Sequence, residues 1–244
     1  MQKTDRPPHA KLAYYLLKDL NKAIYAYGMI ADGDRIAVAV SGGKDSLTLL
    51  DLLRVRQTSA REKYSLVAVH VSMRREGGLP CEARDAEEAL SHHLDAEGVP
   101  HALQSVDAED ATSCFRCSYL RRKAIFAAAK RLGCRKVALG HHANDAAQTT
   151  LLNLAYHGRV ETLHPTRTFF GGEIILIRPL LYVPEKDIIR YARLRGFPVC
   201  AHRCPHALTS RRALARSIVR QLEQDYPKSR INLLRAGLQG HPQS

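Results

Sequence analysis

The segment Ser41-Gly42-Gly43-Lys44-Asp45-Ser46 gathers residue types that suit an anion. Two adjacent glycines let the backbone approach a phosphate closely, and the loop N–H groups can turn toward it. Lys44 adds a full positive charge, and the Ser41 and Ser46 hydroxyls can donate hydrogen bonds. The Walker A spacing G-x-x-x-x-G-K-S/T is missing, and so is G-x-G-x-x-G. An ordinary strand-to-helix turn is the plain alternative; the glycines, the lysine and both serines together weigh against it. Further along, Cys114-Phe115-Arg116-Cys117 is a C-x-x-C pair, which suits zinc, an iron–sulfur half-site or a redox couple. Cys200 and Cys204 come late in the chain, within Cys200-Ala201-His202-Arg203-Cys204-Pro205-His206. Two such pairs in one chain point to a shared metal. A closed site of all four cysteines, holding zinc, would be structural only. Cys134, just ahead of an apolar run, reads as a small buried hydrophobe, and Cys81 has no role assigned to it.

The elements around these residues must position them. Residues 35–40 are a continuous apolar run rich in β-branched side chains, typical of a strand buried on both faces, and it ends at the loop. Helical spacing resumes over 47–56, so the loop lies where a helix N-terminus adds partial positive charge. Residues 65–71, 100–106, 136–139 and 174–177 read as further strands. Residues 10–28, about 82–98, 115–132, 144–156, 185–196 and 207–224 read as helices, with a tail after the last. The alternation predicts an α/β fold, a doubly wound parallel sheet with helices on both faces. The expected layout is an N-terminal helix over 1–30, a nucleotide-binding α/β domain over 31–197 and a C-terminal helical extension over 198–244.

Lys and Arg number 37 against 24 Asp and Glu in 244 residues, a net charge of +13. A field of that sign favours polyanions such as nucleic acid or nucleotides. A membrane partner is disfavoured, because no apolar run approaches the roughly 20 residues that span a bilayer. The N-terminus has no long uncharged stretch and no small-residue cleavage site, so a cytoplasmic protein is expected. There the six cysteines are not a disulfide framework.

SGGKDS after a buried strand resembles the signature of the PP-loop ATP pyrophosphatase superfamily, which cleaves ATP between its α- and β-phosphates. Gly140-His141-His142-Ala143-Asn144-Asp145, with Thr149 following, resembles the GHH-x-x-D segment of its tRNA-modifying branch. The order SGGKDS, C-x-x-C, GHH-x-x-D and a late cysteine is similar to the tRNA 2-thiocytidine synthetase family, and the likeness covers roughly residues 10–227. The resemblance implies an adenine-nucleotide α-hydrolase-like fold and a cytoplasmic enzyme that adenylates carbon 2 of cytidine 32 in the anticodon loop of tRNA. It implies ATP on Ser41, Gly42, Gly43, Lys44, Asp45, Ser46, Gly140, His141 and Asp145, with Mg²⁺ on Asp145 or Asp45 and with Lys44 stabilising the phosphates. It also implies a [4Fe–4S] cluster on Cys114, Cys117 and a third cysteine, Cys204 with Cys200 as the alternative, leaving one iron open to carry sulfur. A sulfur donor (a cysteine desulfurase or free sulfide) and a homodimer come with the resemblance. Arg121, Arg122, Arg212 and Arg216 become candidates for tRNA phosphates, a solvated basic face being the bland alternative. After the second strand the family tends to have an Asn-Leu-Asp-Gln-like segment, whereas this chain reads Val69-His70-Val71-Ser72. A 2-thiouridine synthetase is the neighbouring reading. Lysidine synthase, which needs no C-x-x-C, lies further off, and a non-catalytic redox sensor is the alternative outside catalysis.

Overall fold

A computed structural model describes residues 7–74, 84–107, 114–199 and 210–240, with the Arg84 and Cys114 side chains excepted. In chain order the elements are α1 (Pro8–Ala26), β1 (Arg35–Ala39), α2 (Lys44–Gln57), β2 (Ser65–Arg74), α3 (Arg84–Ala96), β3 (His101–Asp107) and α4 (Cys114–Arg131). There follow β4 (Lys136–Ala138), α5 (Ala143–His157), β5 (Thr166–Phe169), β6 (Ile174–Ile177), α6 (Glu185–Arg195), α7 (Arg211–Asp225) and α8 (Ser229–Gln239). The strands form one sheet in the order β3-β2-β1-β4-β6-β5, all pairings being parallel except β5 with β6.

Alternation along β1 shows why both faces are covered. Ile36, Val38 and Val40 pack with α1, α2, α3 and α6 on one side of the sheet. Ala37 and Ala39 point the other way, into a core completed by Ile125, Phe126, Ala128 and Ala129 of α4. The chain winds outward from β1 through β2 to β3, then returns to place β4 against the free side of β1. Neighbouring strands whose connections leave in opposite directions open a crevice beyond their carboxyl ends. That crevice lies between the exits of β1 and β4.

Three expectations are corrected. Lys44, Asp45 and Ser46 form the first turn of α2 rather than a loop ahead of it. β5 is an added antiparallel edge strand, short and partly polar. The segment expected as a tail contains α8, which packs on α5 through Leu234. A Cβ added at Gly237 would lie 2.3 Å from Thr150 Oγ1 and 2.7 Å from Thr162 Cβ, so this approach requires glycine.

Candidate active site

The site begins where β1 stops. Gly42 has φ of 77°, a conformation that glycine adopts without strain, and it turns the chain into α2. Ser46 ties the turn together: its Oγ accepts from the Ser41 N–H at 3.1 Å and donates to the Gly43 carbonyl at 3.0 Å. Gly43 is the N-cap of α2 and no side chain caps the helix, which leaves its first amides to an incoming anion. Gly140, at the exit of β4, allows the second wall to close in, since a Cβ there would lie 3.0 Å from Asp45 C and Ser46 N.

Lys44 Nζ bonds both Asp45 oxygens at 3.0 Å and Glu185 Oε1 at 3.1 Å. Burial alone would lower its pKa, but the two carboxylates outweigh that and raise it, so the ammonium stays charged. Glu185 is shifted in the complementary sense. Burial pushes its carboxyl up, while Lys44, His142 and Arg216 pull it below the ordinary glutamate value. The residue opens α6, and α6 is fastened to α2 by Asp51, which accepts from Tyr191 Oη at 2.6 Å and from Arg195 at 3.0 and 3.1 Å.

The two histidines after β4 do different things. His142 is the buried N-cap of α5; its Nδ1 accepts from the Asp145 N–H at 3.4 Å, and its own N–H donates to Asp145 Oδ2 at 3.1 Å. This capping box fixes Asp145 at the cavity edge. Burial would raise the Asp145 carboxyl, yet His142, chiefly, and its backbone N–H hold it below the usual aspartate range. His142 Nε2 also lies 3.6 Å from Asp45 Oδ1, linking the two walls. His141 turns instead to Arg178, whose Nε donates to His141 Nδ1 at 3.2 Å. Burial, then the Arg178 charge, pushes His141 down to about 3, so the ring is neutral at working pH.

Beside these groups lies a cavity of about 510 Å³, well within the size range of small-molecule sites. Ser41, Asp45 and Ser46 line one side and Gly140, His141 and Asp145 the next. Val69 and Val71 of β2 supply apolar surface, and buried His70 donates from Nδ1 to the Val40 carbonyl at 2.8 Å, pinning β2 beside the loop. The far wall is α4, through Ser118, Arg121 and Arg122.

A family profile described as the PP-loop domain matches residues 13–222. The chain is 36% identical over 231 residues to a tRNA-cytidine(32) 2-sulfurtransferase of Delftia acidovorans, covering 93% of this chain and 73% of that one. It is 38% identical over 239 residues to the enzyme of the same name from Neisseria meningitidis serogroup C, covering 94% and 72%. The chain belongs to the tRNA-cytidine(32) 2-sulfurtransferase family of PP-loop proteins. In fold it is similar to the U34-tRNA thiolase NcsA from Methanococcus maripaludis, solved with its [4Fe–4S] cluster, at a TM-score of 0.70 and 22% identity over 93% of this chain and 79% of that one.

Ser41, Asp45 and Ser46 of the phosphate loop line the same cavity as Gly140, His141, Asp145, Arg121, Arg122 and Arg212; Gly42, Gly43 and Lys44 lie behind them in the turn. Arg216, next along the same face of α7, is close enough to lower the Glu185 pKa. Positions 114 and 117 lie one helical turn before Ser118 and Arg121 on α4, and Cys117 packs against the core beneath that helix. Cys117 is half-buried. Cys200 and Cys204 lie outside the described residues, as does Cys81. Sequence reasoning missed Glu185, Arg167 and Arg178, which lie outside the phosphate loop, the C-x-x-C pair and the GHH-x-x-D segment. Among the described residues no group of three or more His, Cys, Asp or Glu is gathered to hold a metal. No helix there is long and apolar enough to cross a membrane.

Proposed function

We infer that the chain is an ATP-dependent tRNA-cytidine(32) 2-sulfurtransferase, and that its cavity is where the base is adenylated and then thiolated. One observation carries the reading: the phosphate loop, Asp145 and the helix bearing C-x-x-C face a single cavity. In the first step O2 of the cytosine attacks the α-phosphorus of ATP. A C–O–P linkage forms, the bond to the β-phosphate oxygen breaks, and pyrophosphate leaves. The loop amides, the start of α2 and Lys44 would neutralise the departing charge. In the second step a sulfur nucleophile adds to carbon 2 and AMP departs, so that C–O is exchanged for C–S.

Glu185 and Asp45 would hold Lys44 charged and in place. Asp145, fixed by His142, offers a carboxylate oxygen beside the phosphates; with Asp45 it suits a Mg²⁺ that takes most of its remaining ligands from ATP and water. The cysteine spacing suits an iron–sulfur cluster: positions 114 and 117 lie one turn apart on α4. A [4Fe–4S] cluster held by Cys114, Cys117 and Cys204 (or Cys200) would supply an iron position open to sulfur from a cysteine desulfurase or free sulfide.

The test uses a bacterial strain lacking its own enzyme of this kind, with tRNA nucleosides read by mass spectrometry. The wild-type chain restores 2-thiocytidine, whereas Lys44→Ala and Cys114→Ala do not. Purified Cys114→Ala still binds ATP. Appearance of 2-thiouridine in place of 2-thiocytidine, or equal loss of ATP binding and thiolation in Cys114→Ala, overturns the assignment.

A further inference from the structure

The cavity carries more positive charge than a triphosphate on the phosphate loop requires. Arg178, just after β6, is only 8% exposed. It is held by its bond to neutral His141 and by a second bond from Nη1 to the His164 carbonyl, so neither partner balances its charge. Arg122 of α4 and Arg167 of β5 line the same cavity. Burial and these two neighbouring charges bring the Arg178 pKa down to about 10. Among the described residues the carboxylates lining the cavity are Asp45 and Asp145; one is bonded to Lys44, and the other caps α5 and offsets part of the Arg178 charge. Three guanidinium groups from three separate elements therefore converge on one wall without a carboxylate for each. For buried Arg178 that is costly unless an anion completes the wall, while Arg122 and Arg167 are exposed and open to one.

Position decides which anion. β6 is two strands from β1 in the sheet and antiparallel β5 three, which places the carboxyl end of β6 and the amino end of β5 roughly 10–15 Å from the loop at strand spacings of about 4.8 Å. The triphosphate already has the loop amides, the start of α2 and Lys44. Arg212 lines the same cavity, and Arg216 follows it one turn along α7, so positive charge continues from this wall to the surface.

We propose that Arg122, Arg167 and Arg178 form a second anion site, separate from the phosphate loop, that grips a phosphodiester flanking the target nucleotide of the tRNA. The proposal rests on the reading of tRNA as substrate. Planar guanidinium forks match phosphate oxygens in pairs, and holding the backbone leaves the base free to turn toward Asp145 and the adenylating phosphate.

The experiment measures binding of an anticodon stem-loop RNA to the full chain. It compares native RNA with RNAs carrying a neutral methylphosphonate at either linkage flanking cytidine 32. Arg178→Gln removes the support of His141 and risks the fold, so exposed Arg167→Gln carries the test and Arg122→Gln repeats it. Arg167→Gln weakens native RNA about tenfold and makes the salt slope shallower by roughly one. It leaves the affinity for a non-hydrolysable ATP analogue within about twofold. One methylphosphonate costs the wild type about tenfold and costs the variant nothing more. Equal methylphosphonate losses in both proteins, or loss of nucleotide affinity together with RNA affinity, overturns the site. Failure of the wild type to bind the stem-loop at all removes the tRNA reading and this proposal with it.

Discussion

His141 and His142 are adjacent in sequence but sit in opposite electrical settings. His142 closes a capping box at the start of α5, where its Nδ1 must accept. His141 accepts from a buried guanidinium and is held neutral, with its pKa down at about 3. The consequence for stability has a definite sign. Unfolded, the ring takes a proton below its ordinary value of 6.5; folded, it refuses one until about pH 3. The native state thus loses stability as pH falls below 6.5, by up to about 1.4 kcal/mol per pH unit for this one proton. Above pH 6.5 the ring contributes no pH dependence. In His141→Asn that part of the slope disappears, and urea unfolding at pH 7 and pH 5 measures it. An unchanged difference between the two pH values would mean that the folded ring is protonated. The pair was visible in the sequence, but the division of labour was not, because it depends on Arg178 arriving from a distant strand.

At the scale of elements, the first turn of α2 and the packing of α8 show where local reading works and where it stops. The strand, the glycines and the helical spacing after them are contiguous, so the strand-to-helix turn could be located to within a few residues. The helix begins at Lys44 because Gly42 completes the turn and Ser46 satisfies the Gly43 carbonyl from inside the helix. α8 escaped because a helix containing glycine near its end has weak intrinsic propensity. What stabilises it is tertiary contact: Gly237 lies against Thr150 and Thr162, both of which donate to the Ala146 carbonyl of α5. Gly237→Ala forces those side chains apart and should cost about 1–3 kcal/mol, read as a lower urea midpoint at constant slope. A midpoint within error of wild type would show that α8 can shift outward without loss.

Across the whole molecule the net charge of +13 is a statement about partners, not about the fold. Arg121, Arg122, Arg167, Arg178 and Arg212 all border the cavity, so much of the positive field is concentrated at one end of the sheet. Stem-loop RNA affinity should therefore fall with salt at a slope of roughly −3 or steeper in log–log form, about 0.7–0.9 for each phosphate neutralised. A flat response across 50–200 mM salt would count against phosphate contacts on this face. The sequence by itself determined the phosphate loop, the C-x-x-C pair, the GHH-x-x-D segment and the parallel α/β class. Each is a local pattern, in which neighbours in the chain are neighbours in space. Only the tertiary structure decided that Glu185 reaches Lys44, that burial and then Arg178 keep His141 uncharged, and that Arg167 lines the same cavity as Arg122. Those contacts depend on strand order, and strand order is set when β4 docks beside β1 and β6 beside β4 to bury both faces of the sheet. No short stretch of sequence carries that information.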